Sequence, residues 1–244
     1  MKFAFPMMLF AVLARSVSAQ EAFEKDVIKA AASDLEITFI GHGSLMLKFS
    51  NKIIHVDPFS TLTDYAKLPK ANMLLITHDH FDHLDSAAID KIRTKDTKVV
   101  LSETSAGKLS GGIIMKNGDV QTVIGIKIEA VPAYNLEHKC GDTGQPYHPK
   151  GQGNGYVLTF GDKRVYIAGD TENTPEMKAL KNIDIAFLPM NLPYTMSPEM
   201  VADGALAFKP KVLYPYHYGE TDTLRIHALL RNNKEIEVRM RKMK

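Results

Sequence analysis

Residues 76–85 read Ile-Thr-His-Asp-His-Phe-Asp-His-Leu-Asp, with three histidines and three aspartates directly behind the apolar run Met73-Leu74-Leu75-Ile76. In a chain leaving a strand, His78 and His80 at i and i+2 point to one side, and Asp82 and His83 can reach the same volume around a turn. Imidazole nitrogens bind Zn²⁺ at about 2.0–2.1 Å and carboxylate oxygens at about 2.0–2.2 Å. Four such groups cannot all hold one tetrahedral ion and leave a reactive position open. Two ions sharing a carboxylate can use them, and paired catalytic metals sit roughly 3.5–4 Å apart. The plainer reading is a solvated turn whose Asp85 caps the next helix. A cap needs one residue and leaves the three histidines without a role.

Other apolar strands end the same way. Residues 53–56 lead into Asp57, residues 165–169 into Asp170, and residues 212–216 into His217. Alone, Asp170 would be an ordinary turn aspartate and His217 a core histidine between Tyr216 and Tyr218. Together with residues 78–83 they can converge at one rim of a sheet. His42, in Gly-His-Gly-Ser, is expected beside this site rather than as a ligand in it. His55 falls mid-strand, His227 on an exposed helix face, and Cys140 is a lone loop thiol.

The elements that must position these residues follow from periodicity. A helix-like lead is expected over residues 21–32, then strands over 35–40, 45–49 and 53–57, with Leu45, Leu47 and Phe49 alternating inward. A central strand spans 73–77, a helix 85–93, and a strand 99–101. A short helical piece and a β-rich region over 113–131 follow, with Asn117-Gly118-Asp119 as a hairpin signal. Residues 132–155, rich in Gly, Pro and polar side chains, are long for a loop, and such loops are often functional. Strands are then expected at 156–160, 165–168, 185–188, 212–216 and 235–240. Helices are expected at 175–181 and 198–208, capped by Thr174 and Ser197, and at 223–230.

At 244 residues, 45% hydrophobic and 24% charged, the chain has the composition of an ordinary globular protein. Lys2, an apolar stretch over residues 3–14 and the small-x-small triplet Val17-Ser18-Ala19 read as a signal peptide over residues 1–19. Residues 20–244 would then form one domain in a periplasmic or secreted protein. The apolar run is too short for a stable membrane anchor. Without Lys2 and Arg15, the 30 basic residues fall to 28 against 28 acidic ones, which argues against nucleic acid as a partner. One cysteine allows no internal disulfide.

The Thr-His-x-His-x-Asp-His element, Gly169-Asp170-Thr171 and a strand-end His217 resemble the metallo-β-lactamase superfamily. "IGHGSLMLKF", "IIHVDPF", "VPAYN", "YHPKGQGNGY" and "YIAGDT" are similar, more narrowly, to its metal-dependent hydrolases near ascorbate-6-phosphate lactonase and N-acyl-phosphatidylethanolamine phospholipase D. The likeness runs from Leu35 to about Tyr218. It implies an α+β fold, a four-layer αββα sandwich with the metal site at one edge of the two sheets. It also implies that His78 and His80 bind one metal, that Asp82, His83 and His217 bind a second, and that Asp170 bridges both. Asp57 would lie behind the site and orient a ligand or the turn. Relatives place a further histidine where this chain reads Pro132-Ala133-Tyr134-Asn135. The resemblance favours His148 in its place, ahead of His138 and then Cys140.

The expected activity is hydrolysis of an ester, lactone, amide or phosphodiester in a small-molecule substrate. Two divalent ions, zinc before manganese or iron, would acidify a shared water to a hydroxide nucleophile. Asp82 and Asp170 would anchor the ions and relay the proton. No Gly-x-Ser-x-Gly element offers a serine nucleophile. The alternatives are an iron-dependent oxidoreductase or dioxygenase on the same scaffold, against which His80 counts, and a non-catalytic metal-binding domain.

Overall fold

The computed structural model describes residues 23–243, and among these fourteen strands form two seven-stranded sheets. In the first, spatial order follows chain order: β1 (Lys25–Ile28), β2 (Leu35–Gly41), β3 (Ser44–Phe49), β4 (Lys52–Val56), β5 (Met73–Leu75), β6 (Lys98–Leu101) and β7 (Ile113–Ile114). The second does the same with β8 (Val120–Val123), β9 (Ile126–Ala133), β10 (Gly153–Phe160), β11 (Lys163–Ile167), β12 (Ile185–Pro189), β13 (Val212–Tyr216) and β14 (Glu237–Val238). Each sheet begins as an antiparallel meander and ends in parallel strands, from β4 in one and from β11 in the other.

The main core lies between the sheets, where Leu45, Leu47, Ile54, Val56 and Leu75 meet Ile128, Leu158, Ile167, Phe187 and Tyr214. The outer faces carry helices. Ala88, Ile89 and Ile92 of α1 (Ser86–Ile92) cover the first sheet, and a short α2 (Glu103–Ala106) follows β6. Met177 of α3 (Pro175–Lys178), Val201, Ala205 and Phe208 of α4 (Pro198–Phe208), and Ile226 and Leu230 of α5 (Leu224–Leu230) cover the second. The result is the expected αββα sandwich. Asp85, Thr174 and Ser197 cap α1, α3 and α4 through their side chains.

Parallel order is what gathers the site. Strands β4, β5, β11 and β13 all finish at one rim, so Asp57 and His217, directly after β4 and β13, and His78 and Asp170, three residues beyond β5 and β11, leave the sheets side by side.

Four local expectations are corrected. Residues 25–28 of the expected helical lead form β1, which pairs antiparallel with β2 and is tied down when Asp26 accepts hydrogen bonds from Arg241 at 2.7 Å. Asn117-Gly118 does turn, but it carries the chain from one sheet to the other. β7 pairs with β6, and the hairpin partner of β8 is β9. The last strand shrinks to two residues, and the irregular loop narrows to residues 134–152 because β9 and β10 extend into it. The signal-peptide reading, residues 1–19, lies outside the described residues. Among those described, no helix is long and apolar enough to cross a membrane.

Candidate metal centre

Three overlapping sets of donors meet at the shared rim: His42, Asp82, His83 and His217; His78, His80 and His148; and His78, His83 and Asp170. Asp170 lies between the first two. Its Oδ2 is 3.4 Å from His148 Nε2 and 3.5 Å from His217 Nε2, while its Oδ1 is 3.5 Å from His83 Nε2. Asp82 Oδ2 lies 3.7 Å from both His83 Nε2 and His217 Nε2. These separations are too long for good hydrogen bonds. They match two donors on one tetrahedral cation, which at about 2.1 Å each stand roughly 3.4 Å apart.

The unused atoms agree. His78 Nε2, His83 Nε2, His148 Nε2, Asp170 Oδ1 and both ring nitrogens of His217 are buried without a hydrogen-bond partner. Orphaned buried polar atoms are costly unless a ligand, ion or water satisfies them. Several aimed at one place fit a divalent cation, so the donor set suits the metal the fold implies.

Asp57 sets the direction of two imidazoles. Fully buried, it accepts from His83 Nδ1 at 2.9 Å, and its Oδ1 accepts from Thr77 N at 2.8 Å. The Thr77 hydroxyl donates to Asp57 Oδ2 at 2.6 Å, which leaves its oxygen to accept from His78 Nδ1 at 3.0 Å. Both rings therefore carry their proton on Nδ1 and turn Nε2 toward Asp170. Space matters as well: a Cβ on Gly43 would stand 2.8 Å from His83 Cε1.

His148 is aimed from the 134–152 loop. Asn135 Oδ1 accepts from its backbone N at 2.7 Å and from its Nδ1 at 2.8 Å, again freeing Nε2. Asn135 is held in turn by Glu172, whose buried carboxylate also accepts three successive backbone N–H groups, from Leu136, Glu137 and His138, at 2.8 Å each. His138 donates from Nδ1 to the same carboxylate at 2.8 Å and does not join the donors. Nor does Cys140. Sequence reasoning did not single out Thr77, Asn135 or Glu172. The signal was positional: Thr77 opens the Thr-His-x-His element, Asn135 closes the quoted "VPAYN" string, and Glu172 directly follows Gly169-Asp170-Thr171.

Of the remaining histidines, His42 was expected beside the ligands and instead falls within one of the donor sets, while His55 and His227 lie outside them. His42 Nε2 lies 2.9 Å from Asp82 Oδ2, with its ring centroid 3.7 Å from that of His217, so it stands within the cluster's reach. His55 is fully buried on β4 against the Pro69 carbonyl, and His227 is exposed.

The electrostatics are those of a cation site. Burial pushes His78 well below the usual imidazole range, assisted by the neighbouring His83. Burial opposes charge on His83 too, but Asp170, Asp57 and Asp82 outweigh it and hold the ring at about 9. Despite burial, His217 and His83 keep Asp170 well below the carboxylate range, and His217 and His42 do the same for Asp82. Both carboxylates are thus anionic at neutral pH, and a cation at His83 competes with a proton.

A two-sheet sandwich with ligand-type residues at one rim defines a class, and sequence comparison agrees with it. The family profile described as "Beta-lactamase superfamily domain" matches residues 36–217. A UPF0173 metal-dependent hydrolase of Pelotomaculum thermopropionicum is 31% identical over 198 residues, 75% of this chain and 84% of that protein. Among solved structures, a protein assigned as a metal-dependent hydrolase of Parabacteroides distasonis superposes with a TM-score of 0.86. It is 51% identical, over 91% of this chain and all of that one. Igni18, a metallo hydrolase of Ignicoccus hospitalis, gives a TM-score of 0.70 at 26% identity, covering 84% and 94% of the two chains. The chain belongs to the metallo-β-lactamase superfamily, among its UPF0173 metal-dependent hydrolases.

Proposed function

We propose that the protein is a metal-dependent hydrolase of an ester, lactone, amide or phosphodiester bond, with two divalent cations, zinc by preference, held at this centre. His78, His80 and His148 would hold one ion, Asp82, His83 and His217 the other, and Asp170 both. The set of unpartnered Nε2 and Oδ atoms spaced about Asp170 carries the reading. Bound there, such ions polarise the bond under attack and acidify water.

The chain's own residues supply the rest. Asp57 and Asn135 fix the tautomers, and the low-lying carboxyls of Asp170 and Asp82 keep the centre anionic. Asp82 lines the cleft with its Oδ2 held by His42, and its carboxylate would anchor an ion and relay the proton of an attacking water. A donor set dominated by imidazole favours zinc over a carboxylate-rich iron pair.

Elemental analysis with activity tests this. About two zinc ions per chain are expected, with hydrolysis lost in Asp82→Ala and on chelation. Stoichiometric iron with oxygen consumption would overturn it in favour of the oxidoreductase alternative. The small-x-small triplet supports export with cleavage after Ala19, so the N-terminus of secreted protein should be Gln20.

A further inference from the structure

A cleft of about 360 Å³ opens over Asp82, Asp170 and His217, and its outer wall is aromatic. Phe81, placed between two proposed ligands, is 76% exposed, with its ring 6.0 Å from Phe59. Tyr194, 46% exposed, meets Tyr147 edge-on at 5.0 Å. Leu136 and Leu192, each next in sequence to a residue of this region, are exposed as well. Large, solvent-exposed aromatic side chains at the mouth of a cleft mark a surface suited to an apolar group.

Charge narrows the class. Among the described residues, no Lys or Arg lines this cleft or the smaller recess beside His78 and His148. Lys108 is paired with Asp79 and Lys150 with Glu176, both at 2.7 Å. A phosphate or carboxylate carried away from the ions would meet no fork of donors to neutralise it. Asn191 lines the same cleft, and its carboxamide offers a neutral donor and acceptor for a carbonyl or its leaving heteroatom.

Resting on the hydrolase reading above, we infer that the substrate is an uncharged ester or amide with an apolar acyl group, an alkyl or aryl chain lodged against Phe81, Tyr147 and Tyr194. In its hydrolysis, water adds its oxygen to the acyl carbon and the bond to the leaving oxygen or nitrogen breaks. One water proton passes to the leaving atom, and the products are a carboxylic acid and an alcohol or amine.

The acid product makes recognition measurable without turnover. Calorimetry on zinc-loaded protein would compare acetate, butyrate, hexanoate, glutarate and methyl phosphate. Each buried methylene strengthens binding by up to about fourfold. Hexanoate should therefore bind at least about tenfold more tightly than acetate and than glutarate, which bears a second charge. In Phe81→Ala and Tyr194→Ala the hexanoate-to-acetate ratio should fall about fivefold or more. A flat series, tighter binding of glutarate or methyl phosphate, or an unchanged ratio in both variants would each overturn the inference. Turnover of p-nitrophenyl hexanoate and bis(p-nitrophenyl) phosphate, measured alongside, separates the two readings. Neither ester cleaved, with the affinity gradient intact, strikes the hydrolase reading alone. Cleavage of the phosphodiester alone, with no gradient, strikes the substrate class alone.

Discussion

Two regions solve the same problem differently. At the strand ends of the first sheet, one buried carboxylate, Asp57, aims His83 directly and His78 through the Thr77 hydroxyl. Across the centre, the 134–152 loop aims His148 with an amide, Asn135, and the amide is fixed by Glu172. A sheet supplies rigidity through its ladder, so one orienting group suffices there. A loop has no ladder, and Glu172 substitutes for one by collecting three consecutive N–H groups that would otherwise lack partners. Precision in the loop therefore rests on one more residue, Glu172, which acts on His148 only through Asn135.

Breaking the sheet-side device should have the largest effect. Asp57→Ala strands Thr77 N and His83 Nδ1 in the interior, at a cost of about 3 kcal/mol or more in denaturant unfolding. It should also weaken both zinc ions by roughly 10–100-fold in chelator competition. Two ions retained at native affinity would mean that Asp57 does not aim the ligands.

The loop device should fail more narrowly. Asn135→Ala should lower the affinity of one ion by about 10–100-fold, and Glu172→Gln by about tenfold, with zinc falling toward one per chain while the second ion holds. Equal loss of both ions would erase the contrast between the regions.

His55 sharpens the comparison, because it lies on β4 two residues before Asp57 but has no carboxylate partner. Burial lowers it to about 4 from 6.5. The unfolded chain binds the proton first, so this contribution to stability is intact above pH 6.5 and declines as pH falls toward 4. By pH 5.5 the loss should be about 1.4 kcal/mol. Unfolding of wild type and His55→Phe at pH 7.5 and pH 5.5 should differ by that amount, with wild type the more acid-sensitive. Smallest of all, His138→Ala should leave zinc content unchanged and cost only about 1 kcal/mol of stability, from its lost bond to Glu172. Loss of an ion there would return His138 to the ligand set.

The strand-end donors were legible in the sequence because an apolar run followed by His or Asp is a local pattern, and parallel strands bring such ends together. α4 matched its expected bounds, Pro198–Phe208, because Ser197 and Pro198 mark its start and an unbroken apolar stripe its length. β1 was not legible. Its four residues pair with β2, and Asp26 among them is held by Tyr214 and Arg241, nearly the whole chain away. The Asn117-Gly118 turn was visible, but which sheet follows it depends on pairing that no local window contains. Glu172 was hidden for the same reason: its partners are backbone groups of a loop more than thirty residues earlier, and any sequence there would offer them.

The chain completes one sheet by Ile114 before starting the other at Val120. The proposed ligands divide along that line, with His78, His80, Asp82 and His83 on one side and His148, Asp170 and His217 on the other. Cations held between them would act as a clasp across the seam, and closing the clasp and docking the halves would become a single equilibrium. Stripping the cations should then loosen this rim first, while the far ends of the strands stay zipped.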